Sequence, residues 1–279
     1  MNPLEDRFGR RVTQVRLSVT DRCNLRCVYC MPEEGIKSVS HQQILRYEEI
    51  IRLAKIFGKL GVSKLRITGG EPLVRKDMVS LVEKLRRIPE ILSLPMTTNG
   101  ILLGYFAEPL KKAGLTQLNI SLDSLNQDRY RAITRSDKLA DVIEGIRAAR
   151  AAGLPIRINV VPIRGWNDDE VLDFADFALA ERLTVRFIEF MPFNRNQWDK
   201  EKFVPTEELK TVIRRRYTLI PEGRDYPSSP AEYFRVEGKE GRIGFITSVS
   251  GSFGASCSRL RVTADGRIKP CLHSDVEID

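Results

Sequence analysis

The 279-residue chain has only two histidines and five cysteines, no internal repeat or heptad tract, and no low-complexity segment. No stretch approaches the roughly 18 to 20 apolar residues that a membrane span needs. The charged stretch from Met1 to Arg11 does not read as a signal peptide, so a cytoplasmic location without membrane partners is expected. The cysteines fall into an N-terminal triplet and a late pair, which fits no framework of paired disulfides; clustering of this kind in a reducing compartment points to metal. With 42% hydrophobic and 29% charged residues the composition excludes intrinsic disorder, and the length can bury a sizeable core. Lys and Arg exceed Asp and Glu to give +8, which suits nucleic acid, an anionic small molecule or plain solubility without choosing among them.

What is present is a rhythm of short β-branched segments and amphipathic helical stretches, the pattern of parallel strands joined by right-handed crossovers. Six such units are expected, with strands near residues 13–20, 63–69, 93–98, 116–123, 155–162 and 184–190. Helices belong between them, for example over residues 47–60, 76–87 and 168–181, with Gly61, Gly114 and Gly153 at C-cap positions. The expected fold is therefore α/β: a partial (β/α)6 TIM-type barrel over residues 1–225. A small C-terminal β-containing extension follows over 226–279, where Asp265-Gly266 marks a turn between short strand-like pieces.

Side chains alternate faces along a strand, and here the two faces differ in chemistry. Arg16, Ser18 and Thr20 oppose Val15, Leu17 and Val19; Lys64, Arg66 and Thr68 oppose Leu65 and Ile67; Asn119, Ser121 and Asp123 oppose Leu118, Ile120 and Leu122. The fifth strand adds Arg157 and Asn159, while Arg186 on the sixth shares its face with Ile188 and Phe190. In a barrel the apolar face packs on helices, which predicts a wet, cationic lumen. An antiparallel sheet with one solvated face is the alternative.

Cys23, Cys27 and Cys30 form a C-x3-C-x2-C array just after the first strand, at the end of a barrel strand where active sites assemble. Three thiolates can hold three irons of a four-iron cubane and leave the fourth open to a cofactor. A structural zinc knuckle or three unligated thiols are the alternatives, and zinc prefers a fourth ligand where only His41 is near in sequence.

With an aromatic residue before its last cysteine, the array resembles the cluster motif of radical S-adenosylmethionine (SAM) enzymes. Further segments resemble one subfamily, the GTP 3′,8-cyclases of molybdenum-cofactor biosynthesis. These are Thr68-Gly69-Gly70-Glu71-Pro72, Thr97-Thr98-Asn99-Gly100, Asn119-Ile120-Ser121-Leu122-Asp123, Arg186-Phe187-Ile188-Glu189-Phe190-Met191, and the run from Cys257 to Gly266 with Cys271. The resemblance covers nearly the whole chain. It implies a 4Fe-4S cluster on Cys23, Cys27 and Cys30, SAM bound by Tyr29, Gly70, Ser121 and Met191, and GTP bound by Arg16, Arg66, Thr97, Arg157, Arg259, Leu260 and Arg261. It further implies an external electron donor, a homodimer, and cleavage of SAM to a 5′-deoxyadenosyl radical that starts cyclisation of GTP. Nucleic acid is the weaker reading of the basic run Arg214-Arg215-Arg216, which suits a solvated helix end.

Two departures stand out against that subfamily. Its second cluster takes three cysteines, and this chain has Cys257 and Cys271 but Gly254 at the first position. Two thiolates leave three outcomes open: no second cluster, a labile one, or one completed by His273 or a water. The sequence also stops at Asp279, short of the Gly-Gly terminus the subfamily carries. Competing expectations are a radical SAM relative acting on another anionic substrate and a non-catalytic guanine-nucleotide binder.

Overall fold

The computed structural model describes residues 3–32, 35, 39–192, 198–251, 254–274 and 276–279. Six strands and their helices follow the expected order: β1 (Gln14–Ser18), α1 (Tyr47–Lys59), β2 (Lys64–Thr68), α2 (Met78–Arg86), β3 (Pro95–Thr98), α3 (Leu103–Lys112), β4 (Gln117–Ser121), α4 (Gln127–Thr134), α5 (Leu139–Ala151), β5 (Ile156–Val160), α6 (Val171–Ala180) and β6 (Thr184–Ile188). Then come α7 (Thr206–Arg214), β7 (Leu219–Gly223), β8 (Glu232–Val236), β9 (Arg242–Ile246), β10 (Arg259–Val262) and β11 (Ile268–Lys269). Helix α1 shows why these elements form. Ile50, Ala54 and Phe57 are buried at helical spacing, Glu48 and Glu49 sit in the first turn where the helix dipole favours anions, and Gly61 supplies the left-handed φ of +92° that ends it. Gly114 and Gly153, with φ of +94° and +69°, occupy equivalent positions after α3 and α5.

Among the described residues the strands form one open eleven-stranded sheet in the order β11-β10-β1-β2-β3-β4-β5-β6-β9-β8-β7. β1 to β6 are parallel neighbours, as the partial barrel requires. The late strands continue this sheet at both edges: β10 pairs parallel with β1, and β9 pairs parallel with β6. The apolar strand faces pack on the helices in one cluster that includes Val15, Leu17, Leu65, Ile67, Leu118 and Ile120, each at most 1% exposed. Arg16, Ser18, Lys64 and Arg66 alternate with them and are half-buried, so the alternation seen in the sequence places the polar face inward as predicted. The third expected helix begins late. Residues 168–170 form a single 3₁₀ turn because Glu170 is turned inward, where it accepts from Ser124 Oγ (2.7 Å) and Leu125 N (2.8 Å). Among the described residues no helix is long and apolar enough to cross a membrane.

Candidate functional site: a cysteine loop above a cationic lumen

The cysteine triplet rides on the loop after β1, and that loop is held mainly by backbone. Gly70 N donates to Thr20 O (2.8 Å) and Glu71 N to Arg22 O (2.8 Å). A Cβ on Gly70 would run into the Arg22 carbonyl, and one on Gly69 would lie 2.5 Å from Thr20 O. The glycine pair is therefore needed to bring β2's end onto the backbone that leads into Cys23. On the other side, Arg26 N and Val28 N donate to Thr134 O (3.2 Å) and Ile133 O (2.9 Å) at the end of α4. Cys27 O closes a turn by accepting from Cys30 N (3.0 Å) and Met31 N (2.9 Å).

Burial pushes all three thiols above their ordinary value; Asp123 and the neighbouring thiols push Cys27 and Cys30 further. Gathering three thiols under such mutual repulsion is a cost that a cationic metal body relieves. Among the described residues no group of three His, Cys, Asp and Glu side chains is arranged to hold a single metal ion. The donor set, three thiols on one loop, fits a four-iron cubane with one iron open.

The residues expected to meet SAM come to this same end of the barrel. Tyr29 lies in the cysteine loop, Gly70 just after β2, Ser121 at the last position of β4, and Met191 just after β6. Tyr29 Oη donates to Asp123 Oδ2 (2.7 Å), and Asp123 Oδ1 accepts from Val161 N (2.8 Å). Burial raises Asp123 to about 6, restrained by those two hydrogen bonds. Glu71, 1% exposed, accepts from Leu73 N (3.0 Å), Thr98 Oγ1 (2.7 Å) and Asn99 N (2.6 Å); burial lifts it to about 7 against those donors. Asn167 braces the loop after β5 by donating to Asp123 O (2.6 Å) and Val161 O (3.1 Å).

Below this end lies the lumen. Arg16 stands in register with Arg66 on one side and Arg261 on the other, and Gln14 with Lys64 and Arg259. Arg66 Nη1 reaches Thr97 Oγ1 (3.5 Å). Burial, followed by repulsion from Arg261, Arg66 and Arg259, pushes Arg16 well below its ordinary value. Burial and then Arg186 push Arg66 down to about 9, and burial and then Arg259 push Arg261 down to about 10. A guanidinium rarely gives up its proton, so crowded cations of this kind favour an anion among them. Among the described residues no carboxylate pairs with Arg16, Arg66 or Arg261.

Two expected GTP residues are engaged differently, although the charge of Arg157 is still felt by Arg66 and Arg186. Arg157 Nη2 is 2.9 Å from Asp225 Oδ2, and its Nε and Nη1 donate to the Gln117 amide oxygen (2.8 and 3.2 Å). The Leu260 side chain packs on the core side of β10, away from its neighbours Arg259 and Arg261. Arg186 is a lumen residue that the sequence left ambiguous. Its Nε donates to Asn159 Oδ1 (3.0 Å) and its Nη2 to Asn119 Oδ1 (2.6 Å). Ile188 hid it: on the same strand face, that side chain packs with Ala231, Tyr233 and Ile246. Of the basic run, Arg216 pairs with Asp176 (2.5 Å) and Arg214 lies 4.0 Å from Glu207.

The late cysteines meet a different environment. Cys257 Sγ accepts from Arg259 Nε (3.3 Å); burial works to raise this thiol, but Arg259 and Arg10 outweigh it and bring it below the ordinary value. Cys271 is exposed, and Arg10 and Arg261 feel both thiols. Gly254 lies in a 3₁₀ turn (Gly254–Ser256) whose carbonyl accepts from Arg10 and from Cys257 N (3.1 Å). A Cβ added at Gly254 meets nothing within 4 Å. His273 Nδ1 is engaged with Pro192 O (2.9 Å). As it stands, this donor set is one thiolate short of the three that hold an open cubane and does not fit one.

Comparison with known proteins converges on the same reading. Residues 17–178 match the Radical SAM superfamily and residues 183–279 match Molybdenum Cofactor Synthesis C. The GTP 3′,8-cyclase of Moorella thermoacetica is 50% identical over 277 residues, covering 99% of this chain and 86% of that protein. The GTP 3′,8-cyclase of Thermodesulfovibrio yellowstonii is 48% identical over 278 residues, covering 99% and 86%. Among solved structures, Streptococcus suis SuiB bound to S-adenosylmethionine matches with a TM-score of 0.64 at 16% identity, over 96% of this chain and 63%, under two thirds, of that one. Native anSMEcpe with bound AdoMet matches with a TM-score of 0.64 at 16% identity, over 94% and 75%. At such identity the likeness is one of fold, and it supports the partial barrel expected from the strand pattern.

Proposed function

The chain belongs to the GTP 3′,8-cyclase family of radical SAM enzymes, and we propose that it joins C3′ of the ribose to C8 of guanine in GTP. The product would be (8S)-3′,8-cyclo-7,8-dihydro-GTP, in the first step of molybdenum-cofactor formation. One observation carries the reading: the same parallel strands that present three thiols and the Tyr29–Asp123 pair at one end present Arg16, Arg66 and Arg261 in register below, without carboxylate partners. A polyanion satisfies the lower set while its sugar reaches the upper one.

In this reading Cys23, Cys27 and Cys30 hold the cluster, which when bound supplies the electron that splits SAM to methionine and a 5′-deoxyadenosyl radical. Tyr29, Gly70, Ser121 and Met191 orient SAM. Asp123 fixes Tyr29, and Glu71 fixes the turn at Thr98 and Asn99. Arg16, Arg66, Arg259 and Arg261 take the phosphates with Thr97, their guanidinium forks suiting paired charge-assisted hydrogen bonds. Arg157 contributes from the far end of the lumen, and Leu260 through its backbone. Residues 1–225 then form the SAM-cleaving unit, and residues 226–279 complete the nucleotide site. A cytoplasmic location, an external electron donor and a homodimer belong to the same reading.

The test is anaerobic reconstitution with iron and sulfide, then SAM, a strong reductant and GTP, followed by mass spectrometry. Deoxyadenosine together with a cyclised GTP isomer is expected. Gly254 favours a second reading, a relative that splits SAM but acts on another anion, and deoxyadenosine without the cyclised isomer is its signature. Neither product would overturn both readings and leave a non-catalytic nucleotide binder.

A further inference from the structure

We propose that the loop between β7 and β8, through Asp225 and Tyr226, is the floor of the cationic lumen and sets how long a phosphate chain the site accepts. The proposal rests on the reading of the lumen as the GTP site and adds to it a determinant of substrate length.

The open sheet alone would leave the N-terminal end of the barrel unsealed, yet this one loop touches four strands there and the residue that leads into a fifth. Asp225 Oδ2 accepts from Arg157 Nη2 on β5 (2.9 Å), and Asp225 Oδ1 from Arg242 Nη2 on β9 (3.2 Å). Tyr226 Oη lies 3.4 Å from Lys64 Nζ and 3.5 Å from Gln14 Oε1, at the first positions of β2 and β1. The Lys64 ammonium also stands 5.1 Å from the Tyr226 ring centroid. Ser228 Oγ accepts from Ser258 Oγ (2.8 Å), one residue before β10 begins. The loop braces itself as well: Arg224 Nη1 donates to Ser229 O (2.5 Å), Ser229 N donates to Tyr226 O (2.8 Å), and Ser229 is buried.

The charge pattern gives this floor a consequence. Arg16, Arg66 and Arg261 have no carboxylate partner among the described residues, whereas Arg157 is already matched by Asp225. A polyanion moving down the lumen gains at each cation until it meets the Asp225 carboxylate and the Tyr226 ring. A further phosphate would require the Tyr226 ring to move and would have to compete with Asp225 for Arg157 and Arg242, and both are unfavourable. The floor therefore selects by length, with unmatched guanidiniums above it and, at it, a ring in the way and guanidiniums already matched by Asp225.

The test measures equilibrium binding of GDP, GTP and guanosine 5′-tetraphosphate to the reconstituted holoprotein, in the wild type and in Asp225→Asn and Tyr226→Ala. In the wild type, GTP is expected to bind more tightly than the tetraphosphate by about tenfold, or ~1.4 kcal/mol. Asp225→Asn should narrow that ratio by removing the charge, and Tyr226→Ala by making room, so either variant suffices if the other fails to fold. A ratio unchanged in the folded variants, even with lowered melting temperatures, would reduce the loop to a brace and overturn the proposal. Equal wild-type affinity for GTP and tetraphosphate would overturn it too. Wild-type protein that binds none of the three nucleotides would instead overturn the GTP reading beneath it.

Discussion

The two cysteine regions lie on neighbouring parallel strands but at opposite ends of them. Cys23, Cys27 and Cys30 follow β1, whereas Cys257 precedes β10, which pairs with β1 from Gln14 onward. The five residues of β1 put roughly 15 Å between the two levels, and the cationic lumen fills the interval. At the first site three thiols are pushed up by burial with no arginine bonded to their sulfurs, so the site calls for a metal cation. At the second, Arg259 and Arg10 already bring Cys257 down, and Gly254 offers no third thiolate. The same residue type thus serves two electrostatic purposes. Where burial dominates, the thiols are held up and gather for metal; where Arg259 and Arg10 stand beside the sulfur, the thiol is drawn down without one.

The comparison breaks most visibly at Cys27. Changing Cys27→Ser leaves a cubane two ligands, and iron–sulfur absorbance and SAM cleavage should fall together to background; survival of both would remove the N-terminal triplet from the chemistry. Arg66→Ala probes the lumen between the sites. It should weaken GTP binding by about 1–3 kcal/mol through loss of a charged hydrogen bond, while iron content and SAM cleavage without GTP stay at wild-type levels. Unchanged affinity would take Arg66 out of the substrate site.

The two thiol environments also predict an order of alkylation in metal-free protein. Because Cys257 is lowered and Cys27 raised, Cys257 holds more thiolate near pH 7 and should react with iodoacetamide several-fold faster. The gap should close as pH rises and Cys27 begins to ionise. Peptide mass spectrometry across pH 6 to 10 would show this, and faster labelling of Cys27 at neutral pH would reverse the assignment. The gentlest change restores the missing ligand. Gly254→Cys has open space for its side chain, so the variant should fold as the wild type does and gain about four irons per chain. No gain would mean that a third thiol alone does not complete the site.

Much of this arrangement was legible before the structure. Alternation along β1, β2 and β4 separates Arg16, Arg66 and Asn119 from Leu17, Ile67 and Ile120 because each strand is short and the two chemistries never mix on one face. The triplet spacing was equally plain. What could not be read were pairings between distant segments. Nothing local in Arg259–Val262 says that it joins β1, some 240 residues away, nor in Arg242–Ile246 that it joins β6. Arg186 was obscured because Ile188 on its own face packs under β8 and β9, a contact made only after those strands arrive. Asp225 and Tyr226 sit in a Pro- and Ser-containing turn whose sequence reads like any other, and their partners come from four separate strands. The glycine pair after β2 stood out in the sequence only as a segment of the resemblance; that its backbone closes on the loop leading into Cys23 follows from the pairing of β1 with β2.

The contrast between the two ends of the barrel is tested most directly by counting iron and acid-labile sulfide per chain in anaerobically reconstituted wild-type protein. About four of each, one cubane, is expected. A count near eight would contradict it, because it would show that Cys257 and Cys271 assemble a second cluster without a thiolate at position 254.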